Sequence, residues 1–177
     1  MILDRLRAGP KAVRSIAGTL YDGAVAQARA PILYGSMGVA DTPEGRFEAL
    51  TLHVILLIDR LNAGGRDCAS TGQAVFDIYI RQLDGALREM GVGDLAVGRK
   101  MRKLGQAFYG RARAFSDAFS LLPDQALLRE VIGRTLLEER LEADPLLLAD
   151  YVLRCREFMS AYLLDDLLAG SLQWPRP

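Results

Sequence analysis

The chain has one histidine, two cysteines and no excess of either charge, and each scarcity removes a class of chemistry. Cys68 and Cys155 form no CxxC pair, and with a single histidine they assemble no zinc set, so no metal site is expected. Two cysteines also fit a reducing compartment. His53 has no neighbour in sequence to make it a general base or a haem ligand, and a hydrogen-bonded structural role suits it better. No run of 18 apolar residues exists; residues 54–58 and 146–149 are short and flanked by charge, so no segment is expected to span a bilayer. The amino terminus shows no apolar core followed by a cleavage site, so no secretory signal is expected. Lysine and arginine number 22, as do aspartate and glutamate, and composition alone therefore points to neither nucleic acid nor membrane. Alternating apolar–polar runs are scarce as well, which leaves little to support a strand.

What is present is an ordered helical chain. Its 177 residues are half hydrophobic and a quarter charged, enough for one domain with a real core. The zero net charge hides a segregation. Residues 1–14 carry Arg5, Arg7, Lys11 and Arg14 against Asp4 alone, whereas residues 138–150 carry Glu138, Glu139, Glu142, Asp144 and Asp150 against Arg140. Such a dipole orients encounters and weakens with salt.

Periodicity predicts about six helices in an irregular all-α bundle. The first covers residues 12–29 and stops at Pro31; residues 31–43 read as a loop, with Asp41 and Thr42 as caps and Pro43 at the first helical position. The second covers residues 43–62. Leu52, Ile55 and Leu56 fall outside its apolar stripe, so it is either buried on several sides or, with residues 33–37, offers an exposed apolar patch. Residues 64–72 read as a loop, and further helices cover residues 73–90, 94–119, 123–142 and 144–168. The expected division is an amino-terminal amphipathic helix over residues 1–30, a helical domain over 31–170 and a frayed tail over 171–177.

The most informative stretch is LREMGVGDLAVGRKMRKLGQAFYGR, residues 87–111. Gly91 stands where a helix turns left-handed to stop, Gly93 continues the turn, and Asp94 is placed to cap the next helix. In that helix Val97, Met101, Leu104, Phe108, Ala112, Phe115 and Phe119 fill one arc of about 80° at 100° per residue. Arg99, Lys100, Arg102, Lys103, Arg111 and Arg113 occupy the rest, with no acid between Leu95 and Ser116. Exposed helices ordinarily intersperse acids with bases, so this face is expected to meet a negative partner. Nucleic-acid binders add a high pI and stacking aromatics on the basic side; here only Tyr109 lies near the cations, so DNA is not expected. A protein partner near a membrane, assisted by anionic headgroups, fits better.

Two further motifs, one acidic and one glycine-rich, lead nowhere. Asp165–Asp166 lacks the second acid, one turn on, that magnesium chelation by helical isoprenoid enzymes needs. Residues 91–94 lack the GK[ST] of a phosphate loop and any preceding strand.

REMGVGDLAVGRKMRKLGQAFYGR resembles the signature of the ubiquinol–cytochrome c chaperone family, assembly factors for the cytochrome bc1 complex. The resemblance extends more loosely over residues 33–162, through EALTLHVILLIDRL and residues 76–84. The lead-in IYIRQLDGAL departs from the family, which is more acidic just before LREMGVGD. The resemblance implies a non-catalytic helical chaperone without cofactor, holding newly made cytochrome b. It places Arg88, Glu89, Arg99, Lys100, Arg102, Lys103, Tyr109 and Arg111 toward the client or a second protein and inclines His53 to the same surface, which Leu56 joins as part of the candidate apolar patch; Gly91, Gly93 and Asp94 set the turn. Asp84 and Glu89 have a second option, pairing with the basic helix within the chain. Mitochondrial relatives carry targeting sequences and act with a small partner protein; a chain opening almost directly on a helix implies a bacterial cytoplasmic member, peripheral at the inner membrane. The ribosome, a small partner and a homodimer remain open as further contacts. The alternative is a small helical binder of haem, quinone or lipid, which requires an enclosed apolar cavity with His53 converging on it.

Overall fold

A computed structural model describes residues 9–138 and 143–176. The start of the basic amino terminus, Glu139, Arg140 and Glu142 of the acidic segment, and the predicted end of the fifth helix lie outside the described residues. Among the described residues every regular element is a helix: α1 (Pro10–Ala28), α2 (Pro31–Tyr34), α3 (Pro43–Asn62), α4 (Arg66–Glu89), α5 (Asp94–Ser120), α6 (Ala126–Thr135), α7 (Pro145–Ser160) and α8 (Leu164–Leu168). Six are long; α2 and α8 are single turns, one inside the predicted loop after α1 and one cut from the end of the predicted sixth helix. The all-α bundle is as expected.

Helices α1, α3 and α4 pack on one another at the centre, and the chain then circles them. Helix α5 lies on α4, α6 on α5, α7 on α6, and α7 closes back onto α3. Helix α3 therefore meets neighbours on three sides, which explains its sequence. Residues 51–57 are buried without a break, and Leu52, Ile55, Leu56, Leu33 and Met37 are all core. The exposed apolar patch considered for these residues does not exist; they fill a bundle.

Helix starts follow side-chain chemistry. Thr42 accepts from the Gly45 N–H at 3.1 Å, with Pro43 at the first position, where its missing N–H costs nothing. Asp41, the other predicted cap, instead receives Arg46 at 2.6 Å. Asp144 caps α7 through the Leu146 N–H at 2.8 Å. That helix ends at Ser160, where Arg60 donates to the carbonyls of Met159 (2.9 Å) and Tyr162 (2.7 Å).

Two expectations fail for tertiary reasons. Residues 66–72 of the predicted loop are the first two turns of α4, and Cys68 is a buried helical residue. Gly72 looks like a helix breaker, but a Cβ there would sit 3.3 Å from the Asn62 side chain, so it marks a close crossing of α3 and α4. The tail is also docked rather than frayed. Gly170, Trp174 and Pro175 lie along Thr19, Gly23 and Gln27, spaced four residues apart on one face of α1. Gln27 donates to the Pro175 carbonyl at 2.8 Å, and Trp174 meets the His53 ring edge-on at 5.2 Å.

Candidate partner-binding surface

The turn between α4 and α5 is built from hydrogen bonds. The Gly91 N–H reaches the Arg88 carbonyl at 2.9 Å and the Val92 N–H reaches the Leu87 carbonyl at 3.0 Å, a Schellman ending that puts Gly91 at φ +79°. Asp94 does not cap α5. Gly93 is the N-cap, without a side-chain bond, and Asp94 is the first helical residue. Its carboxylate is held by Arg88, which also donates to Asp84 at 2.7 Å. Asp94 still stands at the positive end of α5, so its charge is favourable there. Met90, the last residue before Gly91, is 65% exposed beside this turn.

Beyond the turn the outer surface of α5 is open. Arg99, Lys100, Arg102 and Lys103 are exposed and have no ion pair among the described residues. Arg113, farther along, sits 3.8 Å from Asp117. Tyr109 is 63% exposed, its ring leaning on Phe76 at 5.5 Å. Glu89 is exposed at the end of α4.

The remaining residues assigned to this surface point elsewhere. Arg111 turns inward, gripping both carboxylate oxygens of Glu48 and lying 5.7 Å over the Phe47 ring. Burial pushes the Glu48 carboxyl above its ordinary value, and the Arg111 hydrogen bonds pull it back. The signal was in the sequence: Phe108, Arg111 and Phe115 are three and four residues apart, and both phenylalanines are core. His53 is wholly buried, its Nδ1 2.6 Å from the Ala49 carbonyl and its Nε2 2.6 Å from the Tyr151 hydroxyl. A carbonyl only accepts, so Nδ1 carries the proton and Nε2 accepts from Tyr151, which in turn receives Gln27 at 2.8 Å. Leu56 is 1% exposed, at the floor of an open cleft of about 450 Å³ between α3 and α7. Charged Asp59, Arg60, Arg156 and Glu157 line that cleft and His53 does not, so it is not the enclosed apolar cavity, converging on His53, that a haem or quinone binder requires.

Among the described residues no cluster of histidine, cysteine and acidic side chains could hold a metal, and no helix is long and apolar enough to cross a membrane. The surface that remains is the cationic face of α5, with no acid between Leu95 and Ser116.

The sequence model of the ubiquinol-cytochrome C chaperone family matches residues 36–174. The chain belongs to this family. Among solved structures it is similar to the crystal structure of the Cbp3 homolog from Brucella abortus, at 32% identity and a TM-score of 0.85, over 99% of this chain and 97% of that one. No curated protein matches the chain. The family match reaches Trp174, so it takes in the docked tail as well as the α4–α5 turn.

Proposed function

We propose that this chaperone-family protein holds newly made cytochrome b during assembly of the bc1 complex, by binding rather than catalysis. The observation that carries the reading is the outer face of α5, where Arg99, Lys100, Arg102 and Lys103 stand exposed between Leu95 and Tyr109 with no ion-pair partner among the described residues. A helix that buries its other side in a bundle keeps such a charge pattern at no benefit to its own stability, since unpaired like charges repel. A client with acidic loops and apolar segments matches both parts of the face. The place of action is then the bacterial cytoplasm, at the inner membrane where the client is inserted.

Photo-crosslinking probes at Arg99, Lys103 and Tyr109 in the native bacterium are expected to capture cytochrome b, and a probe at buried Leu56 is expected to capture nothing. Crosslinks to ribosomal or unrelated soluble proteins alone, together with normal bc1 levels after deletion of the gene, would overturn the reading.

A further inference from the structure

Along α5, residues 95, 99, 102, 106, 109 and 113 are four, three, four, three and four apart, so they form one straight stripe, and all six are exposed. Leu95 at one end is 95% exposed and Tyr109 lies about 21 Å along the axis at 1.5 Å per residue. Arg99 and Arg102 stand between them, with Lys100 and Lys103 on the flank. Scattered exposed leucines mean nothing by themselves. Here the apolar residue, the amphipathic ring and the unpartnered cations share one line, and Met90 adds a second apolar side chain at the same end. At the Leu95 end Arg88 engages both Asp84 and Asp94 and leaves Glu89, and at the far end Asp117 faces Arg113 at 3.8 Å, so Arg99, Lys100, Arg102 and Lys103 have no acid beside them.

We propose that this stripe is a membrane-surface contact, laying α5 along a bilayer rich in anionic phospholipid. Leu95 and Met90 enter between headgroups and Tyr109 sits at the interface. The methylene stems of Arg99, Arg102 and Lys103 cover the acyl boundary while their charges meet phosphates. A nucleic acid satisfies the cations but gives Leu95 and Met90 nothing to bury, which is why the bilayer is the better occupant. The inference deepens the client reading by naming the surface on which the client is met, yet its test contains no client.

The test is flotation of the full chain with phosphatidylcholine vesicles, with and without phosphatidylglycerol. Binding is expected on the anionic vesicles, weak binding on the neutral ones, and loss of binding as salt rises. Neutralising Arg99, Arg102 and Lys103 to glutamine is expected to weaken binding about fivefold per charge. Leu95→Ser is expected to weaken it by about tenfold at the same lipid composition. Both variants change exposed residues, and circular dichroism checks that they fold. Because Cys68 and Cys155 are buried, Leu95→Cys takes a polarity-sensitive dye selectively, and its emission is expected to shift blue only on anionic vesicles. Equal binding to both vesicle types, an unaffected glutamine variant, or binding to RNA with none to vesicles would each overturn the proposal. Vesicle binding without a crosslink to cytochrome b would leave it standing and defeat the client reading instead.

Discussion

Burial decides what His53 does, and it does so through solvation. The unfolded histidine titrates near 6.5, but desolvation in the core pushes it down to about 4, against the Ala49 carbonyl, which favours the protonated ring. Between those values the unfolded chain binds a proton that the folded chain does not. Stability is therefore complete above pH 6.5 and falls as pH falls toward 4, by about 3 kcal/mol over the whole window. Urea unfolding at pH 7 and pH 4.5 is expected to show most of this loss, and His53→Gln is expected to remove that part of the slope; identical slopes would refute it. Glu48, whose burial raises its carboxyl, acts in the opposite sense. The Tyr151 hydroxyl is pushed far up by the same desolvation and stays a neutral donor throughout. A lone histidine on the rim of an apolar helix face was legible as structural. Its partner was not, because Tyr151 is 98 residues away and only the packing of α7 on α3 brings it near.

At the scale of elements, the α4–α5 turn divides its work unequally between two residues that look alike in importance. Gly91 holds a backbone conformation that an L side chain enters at a cost of about 1–2 kcal/mol, so Gly91→Ala is expected to lower stability by that amount in chemical denaturation. Asp94→Ala removes an exposed carboxylate that caps nothing, and is expected to cost a small fraction of that. Equal losses would show that the turn is held by charge rather than backbone geometry. The glycine stop was readable from residues 87–94 because a Schellman ending uses only local hydrogen bonds. The position of the cap was missed by one residue, since Gly93 and Asp94 both suit a helix start. Arg111 was misplaced for a different reason. Its charge argued for the surface, while its spacing from Phe108 and Phe115 argued for the interior, and Glu48 on α3 settled the conflict by pairing with it.

Over the whole molecule, the carboxy-terminal segment ties the bundle together by lying across α1 and touching α3. Trp174 packs against Gly23 and His53, with its Nε1 buried and lacking a hydrogen-bond partner among the described residues. Trp174→Ala is expected to cost about 2 kcal/mol, less than for a fully buried tryptophan, and thermal unfolding checks it. As Trp174 is the single tryptophan, native emission is expected to be blue-shifted and to move red when the tail releases. Emission already typical of water in the native protein would show that the tail is not docked. Nothing in residues 171–177 announced this, because a short segment rich in proline and polar groups reads as a free end whatever receives it.

Local information was enough for the all-α class, the second long helix from Pro43 to Asn62, the Gly91 stop and the cationic stretch without an acid between Leu95 and Ser116. Helical periodicity, proline stops and glycine endings act within a few residues, and a family signature is itself a local pattern. Tertiary structure alone decided that Leu52, Ile55 and Leu56 are core, that Arg111 faces inward while Arg99 to Lys103 stay free, and that the tail closes over α1. In each case the deciding partner is remote in sequence: neighbours on three sides of α3, Glu48 for Arg111, and Gln27 with His53 for the tail. Whether a side chain meets water or another side chain depends on which helices pack side by side, and that is a property of the assembled bundle rather than of any stretch of chain.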